Sequence, residues 1–208
     1  MTVEPKMAAV PGFCSLALMP FIFSSIATKE QSEYGVTREY KSILTVPNGG
    51  PWGVWTKPEM CPQGYFAYGF SLKVQRRQGK LKDDTALNGI RLHCSQEDSA
   101  RKIQDVESES GRLGSWTTPV WCPRGFLVAF SLRVESPQGP LGDDTAANNI
   151  KFKCSEGHEV EGLGQSWGLY SSWSDRCSVA ICGLETRLES ERKTDNTGLN
   201  DVRFYCCI

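Results

Sequence analysis

Histidine is almost missing from the 208 residues: there are two, His93 and His158. His93 falls on the outward side of an alternating segment and His158 in a Glu-Gly-His-Glu stretch. Neither has a serine or cysteine partner in a recognisable setting, which argues against a Ser/His/Asp or Cys/His nucleophile. Cys-x-x-Cys and His-x-x-x-His spacings are also lacking, and Cys206-Cys207 leaves no gap for both sulfurs to turn to one ion. Neither a metal nor a cofactor is expected. Charge of one sign is not in excess, with 23 Lys and Arg against 24 Asp and Glu. No basic field is therefore available to gather nucleic acid or an acidic membrane surface. No apolar stripe at helical spacing follows residue 40, and no Asn-x-Ser/Thr acceptor follows residue 27.

Cysteine, by contrast, is plentiful. Eight of the nine lie between Cys61 and Cys207, an even set that reads as disulfides and hence as a secreted protein of the extracellular space. The N-terminus agrees. Lys6 precedes a mostly apolar run from Met7 to Ile26, and Ser25-Ile26-Ala27 offers the small residues that a signal peptidase reads. Residues 1–27 are expected to be a signal peptide that takes Cys14 with it, with Met7 as an alternative start. Pro11, Pro20 and Ser24-Ser25 make the same run a poor membrane-spanning helix. Residues 28–37 are polar and expected to fray. From residue 38 to 208 the length suits one compact domain that buries roughly 70% of its unfolded surface.

Within that domain one phrase is written three times. Phe66, Tyr68, Phe70, Leu72 and Val74 alternate with smaller or polar residues. Gln78-Gly79 follows, and then Asp83-Asp84-Thr85-Ala86-Leu87-Asn88-Gly89-Ile90 leads to Cys94. Phe126 to Val134, Gln138-Gly139 and Asp143-Asp144-Thr145-Ala146-Ala147-Asn148-Asn149-Ile150 repeat it, closing at Cys154. A worn third copy runs from Cys182 to Asp195-Asn196-Thr197 and Cys206. The acidic pairs are offset by 60 and then 52 residues, so one supersecondary unit is used three times. Period-two alternation predicts strands with one buried face, and with it an all-β fold. Arg91 and His93, Lys151 and Lys153, and Arg203 and Tyr205 fall opposite the apolar Ile90 and Leu92, Ile150 and Phe152, and Val202 and Phe204. Ile43, Leu44 and Val46 predict a further short strand, stopped by Pro47-Asn48-Gly49-Gly50-Pro51. The stretch Gln96 to Gly111 is expected to be a variable surface connection.

All six tryptophans, Trp52, Trp55, Trp116, Trp121, Trp167 and Trp173, precede the first long strand of a copy. They are either platforms on which sugar rings stack or plugs for the ends of a barrel or prism. Threefold repetition favours plugs. Strand phase pairs Cys61 with Cys94 and Cys122 with Cys154, each closing a loop worth about 3 to 4 kcal/mol in the chain-entropy model. Symmetry then pairs Cys177 with Cys206 and leaves Cys182 with Cys207, although the adjacency of Cys206 and Cys207 leaves the exchange open. Among the acids, Asp83, Asp84, Asp143, Asp144 and Asp195 form the repeated polar signature. Paired carboxyls can perform glycosidic chemistry. The plainer reading is that Asp-Asp-Thr makes Asx and Thr turns that cap the backbone at a strand entry.

The run Tyr40 to Gly53, the Asp-Asp-Thr-Ala-x-Asn-x-Ile blocks and the closing Phe204-Tyr205-Cys206-Cys207 resemble the vitelline membrane outer layer protein 1 family over residues 38–208. The resemblance implies a type I β-prism: three four-stranded Greek-key sheets around a pseudo-three-fold axis, held by four disulfides. It also implies a structural component of an extracellular coat, with coat proteins or glycans as partners. A fainter implication is glycosyl transfer on N-acetylglucosamine oligomers at the acidic residues, weakened here because the third pair is Asp195-Asn196. A prism lectin is the third reading.

Overall fold

The computed structural model describes Met1 and residues 38–76, 86–135, 147–189 and 198–208. The expected leader after Met1 and the segment 28–37 lie outside the described residues. In chain order the strands are β1 (Ser42–Leu44), β2 (Val54–Trp55), β3 (Glu59–Met60), β4 (Phe66–Val74), β5 (Leu87–Ser95), β6 (Gln104–Glu107) and β7 (Ser115–Trp116). There follow β8 (Val120–Trp121), β9 (Leu127–Val134), β10 (Ala147–Cys154), β11 (Glu159–Glu161), β12 (Leu169–Tyr170), β13 (Ala180–Leu188) and β14 (Leu199–Cys207). No helix occurs among the described residues.

Three long antiparallel pairs, β4 with β5, β9 with β10 and β13 with β14, each found a sheet. In sheet 1 the third strand β6 adds beside β5, and β7 and β8 return to lie beside β4. Sheet 2 places β11 beside β10 and β12 beside β9. This is Greek-key order, in which the fourth strand returns beside the first. Sheet 3 completes itself from the other end of the chain, with β1 beside β14 and β2 and β3 beside β13. Two sheets have five strands rather than the four expected. Their fourth position is broken in two by Thr56-Lys57-Pro58 and Thr117-Thr118-Pro119, where proline has no N–H for the ladder.

Two sequence expectations are corrected. Gln96 to Gly111 is no bare surface connection, because it contains β6. The tryptophan-bearing openers, moreover, do not belong to the sheet of the copy they introduce. β2 and β3 lead into β4 yet pair with β13, β7 and β8 lead into β9 yet pair with β4, and β12 leads into β13 yet pairs with β9. The openers β7–β8 and β12 therefore finish the sheet just begun before the chain starts the next, whereas β2 and β3 complete the sheet whose long strands come last.

The alternation buries one face of every long strand. Phe70, Leu72, Ile90, Leu92, Phe130, Leu132, Ile150, Phe152, Leu184, Val202 and Phe204 are wholly buried. Where the sheets converge, Phe152 lies 4.7 Å from Phe70 and 5.1 Å from Phe204 between ring centroids, and Phe130 lies 4.8 Å from Phe204. The third copy substitutes Thr186 where the others have Leu72 and Leu132. Its buried hydroxyl is accommodated 2.7 Å from Ser108 Oγ and donates to Glu109 O at 3.0 Å.

Three disulfides run between sheets in a closed ring. Cys61, just past β3 of sheet 3, bonds Cys94 of sheet 1; Cys122, past β8 of sheet 1, bonds Cys154 of sheet 2; Cys177, past β12 of sheet 2, bonds Cys206 of sheet 3. A repeated bulge positions them. In each hairpin one residue of the first strand, Tyr68, Val128 or Cys182, is skipped by the ladder. Its carbonyl accepts the N–H of the opener's cysteine, from Cys122 at 3.0 Å, Cys177 at 2.8 Å and Cys61 at 2.7 Å. The fourth disulfide, Cys182–Cys207, lies within sheet 3 and resolves the exchange that sequence left open.

Candidate functional site

Because the inner faces form the core, any surface chemistry must come from the outer faces and the ends of the prism. The outer faces carry a repeated device, in which a cation on the second strand lies between an aromatic ring on the fourth strand and a nearby acid. Arg91 stands 4.1 Å over Trp116 and bonds Glu107 at 2.8 Å. Lys151 stands 4.3 Å over Tyr170 and 3.4 Å from Glu161. Arg203 stands 3.8 Å over Trp55 and 3.1 Å from Glu185. A second rung in sheet 2 puts Lys153 4.5 Å over Trp173 and 3.7 Å from Glu159. Cations on aromatic faces are favourable, most of all for arginine on tryptophan. Burial, followed by the bond to Glu161, raises the Tyr170 hydroxyl above its ordinary pKa.

Trp55, Trp116, Trp121 and Trp173 thus lie on the outer faces of the sheets rather than plugging the ends, and all four are engaged by neighbours. Trp167 is half-buried and partnered. Trp52 differs: it is 58% exposed and has no ring or ionic partner among the described residues. The end-plug reading is corrected for the engaged rings, because they lie against the outward side chains of the sheets. The cations that meet them had already been placed outward by strand phase.

In sheet 1 the second rung holds a connection that sequence reasoning missed. Ser71 Oγ lies 2.8 Å from His93 Nε2, and His93 Nδ1 lies 2.6 Å from Asp105 Oδ1. His93 therefore does have a serine partner, contrary to the sequence expectation. The order is that of a hydrolase triad, but Ser71 is 2% exposed and His93 4%. The indole of Trp121 sits 5.0 Å from the imidazole. The hydroxyl is closed to a substrate, so the three groups satisfy one another within the sheet surface.

The acidic candidates Asp83, Asp84, Asp143, Asp144 and Asp195 lie outside the described residues. The asparagines that follow them in the repeat, Asn88, Asn148 and Asn200, are buried, and their carbonyls each accept a backbone N–H at 2.7 Å, from Gly111, Gln165 and Gly50. Beside this position sits Asp201, whose carboxyl is pushed up to about 6, chiefly by burial. The Val202 N–H, donating to Oδ1 at 2.8 Å, and the charges of Arg203 and Arg187 hold it back from rising further. Among the described residues no three His, Cys, Asp or Glu side chains converge as metal ligands, and no helix is long and apolar enough to cross a membrane.

Comparison with known proteins gives a consistent family. The model of the vitelline membrane outer layer protein I family matches residues 42–208. A vitelline membrane outer layer protein 1 homolog of Mus musculus is 53% identical over 179 residues, covering 85% of this chain and 89% of the relative. The homolog of Homo sapiens is 54% identical over 170 residues, covering 81% and 84%. Among solved structures, a mannose-binding lectin from champedak superposes with a TM-score of 0.50 at 12% identity, covering 83% of this chain and all of the lectin. At that identity the likeness concerns the β-prism fold alone.

Proposed function

The chain belongs to the vitelline membrane outer layer protein I family, and from that premise we propose that it is a secreted, disulfide-stapled structural component of an extracellular coat or secretion that associates with glycans. The observation that carries this reading is the closed ring of three inter-sheet disulfides with a fourth inside sheet 3. Such a set forms and persists in an oxidising, extracellular setting. It locks the three sheets to one another, as a mechanically resistant part of a coat requires. The relatives are named for a layer of such a coat, and a prism fold is shared with a lectin.

A glycan-modifying enzyme is the second reading. One observation favours it: the Asp201 carboxyl, pushed up to about 6, falls in the range suited to a general acid. Against it, Oδ1 is already committed to the Val202 N–H, and the one serine–histidine–aspartate connection described is sealed.

The test is titration of the oxidised protein with N-acetylglucosamine oligomers, followed by calorimetry for binding and mass spectrometry for chain length. Binding with unchanged oligomer lengths supports the coat component. New lengths that vanish in a folded Asp83→Asn/Asp143→Asn variant would replace it with the enzyme. Neither binding nor turnover would remove the glycan from the proposal and leave a protein partner.

A further inference from the structure

We propose that Trp52 is a stacking platform for carbohydrate, taking the flat C–H face of a β-linked pyranose whose ring substituents are all equatorial; the inference rests on the glycan-associating reading above. Internal symmetry separates what the fold needs at this position from what it does not. Each opener carries a glycine in the left-handed region, Gly53, Gly114 and Gly168, at φ of 82°, 86° and 75°. A Cβ on these glycines would collide with the backbone of Leu188, Val74 and Val134, the nearest atoms lying at 2.1, 2.6 and 2.1 Å. The glycine is thus demanded by the fold. The residue before it is not so constrained: it is Trp52 in one sheet, Leu113 in the next and Trp167 in the third. A leucine serves the architecture, so the indole at 52 exceeds what packing requires.

Of the six tryptophans, Trp55, Trp116, Trp121, Trp167 and Trp173 are engaged by neighbours, and Trp52 alone stands exposed without a partner among the described residues. The backbone on either side is fastened. Gly50 N–H donates to Asn200 O at 2.7 Å, and Gly53 O accepts from Arg187 Nε at 3.2 Å. Pro51 removes a further degree of freedom between them. An aromatic ring held on a fixed backbone loses little entropy when a ligand stacks on it.

The surroundings favour sugar over a protein partner. A protein hot spot is an aromatic anchor enclosed by groups that exclude water. Here the exposed apolar residue that adjoins it in the chain is Val54, and the segment runs from Gly49, against which the Asp201 carboxyl packs, to Gly53, whose carbonyl accepts from the Arg187 guanidinium. One apolar face beside a carboxylate and a guanidinium matches a pyranose, whose C–H face stacks while its equatorial hydroxyls point sideways. An axial hydroxyl, as at C2 of mannose, would break that flatness.

The experiment is calorimetry and tryptophan fluorescence with the N-acetylglucosamine tetramer, on the wild type and on Trp52→Leu, which installs the residue found at 113. The wild type should bind with a blue shift in emission. Trp52→Leu should bind roughly tenfold or more weakly with an unchanged unfolding midpoint, Trp52→Phe should keep most of the affinity, and mannotriose should bind less well than the tetramer. Equal binding by Trp52→Leu overturns the platform while leaving glycan association standing. No binding by the wild type overturns both. If the leucine variant is less stable, the phenylalanine variant decides: a folded Trp52→Phe that has lost binding as fully as the leucine variant refutes a role for the flat ring.

Discussion

Replacing Asp201 with asparagine should stabilise the protein at neutral pH and leave it unchanged in acid. Register equates Asp201 with Asn149, since each lies across from the matching arginine of the neighbouring strand, Arg187 and Arg133. Both use Oδ1 to accept the next residue's N–H, from Val202 at 2.8 Å and from Ile150 at 2.9 Å. Asparagine is thus a residue that this fold already accommodates. In sheet 3 the carboxylate instead packs against Gly49, where a Cβ would fall 2.1 to 2.3 Å from its atoms, and burial lifts its pKa from 3.8 to about 6.

That displacement, 6 less 3.8, corresponds to about 3 kcal/mol at about 1.4 kcal/mol per tenfold. Asp201 is only half-buried, so solvent screening reduces the expected effect to about 1 to 2 kcal/mol. The folded state binds the proton more tightly than the unfolded chain. The wild type's advantage is therefore complete below 3.8 and is lost as pH rises through about 6. Urea denaturation of Asp201→Asn should show a gain of about 1 to 2 kcal/mol at pH 7.5, or roughly 2–8 °C in Tm, shrinking to nothing near pH 4. A gain of the same size at both pH values, or a loss at pH 7.5, would refute burial as the origin of the shift.

Removing the fourth disulfide with Cys182→Ala/Cys207→Ala frees a 25-residue separation and should cost about 3 kcal/mol, with the sheet ladders of the folded protein preserved by circular dichroism. Gly69→Ala should be far more damaging than an ordinary strand substitution, because the added Cβ would meet Trp121 at 2.4 Å and Val120 O at 2.6 Å; a loss of about 2 kcal/mol or more in chemical denaturation is expected. Thr186→Leu restores the repeat's leucine but removes the hydroxyl that donates to the Glu109 carbonyl and leaves the buried Ser108 Oγ with Thr56 Oγ1 as its remaining partner, so it should destabilise by about 1 to 3 kcal/mol in the same assay. Expression in a secretory cell should release a protein whose N-terminal sequence begins at Thr28, and a product retaining the apolar run would contradict the leader.

The long hairpins and their threefold use were legible because each strand buries alternate large side chains and each copy ends on a cysteine in the same phase. Of the third strands, β1 was read from Ile43 and Leu44 and the stop at Pro47, but β6 and β11 were not. Those two each contribute one principal inward residue, Val106 and Val160, and one apolar side chain in three or four residues gives no period to read. The hand-over of the openers was hidden for a different reason. Their sequence neighbours and their ladder partners belong to different sheets, and only long-range pairing reveals it. Ser71, His93 and Asp105 are separated by 22 and 12 residues and meet solely because three strands lie side by side. The rungs were half visible, since phase put Arg91, Lys151 and Arg203 outward, but nothing in the sequence said that Trp116, Tyr170 and Trp55, each from an opener outside the copy, would lie beneath them.

Sheet 3 takes its strands from the earliest and latest parts of the domain, and this sets a timetable for synthesis. β2 and β3 find no partner until β13 has been made, some 120 residues after Met60 by position. At ribosomal rates of about 5–20 residues per second the wait is roughly 6–24 s. During that interval Cys61 can already meet Cys94, while Cys177 and Cys182 must wait for Cys206 and Cys207, almost the last residues of the chain. The final pairing event therefore closes the prism and completes its oxidation together. A nascent chain released early would present an unfinished sheet edge and, once past Cys182, two unpaired thiols.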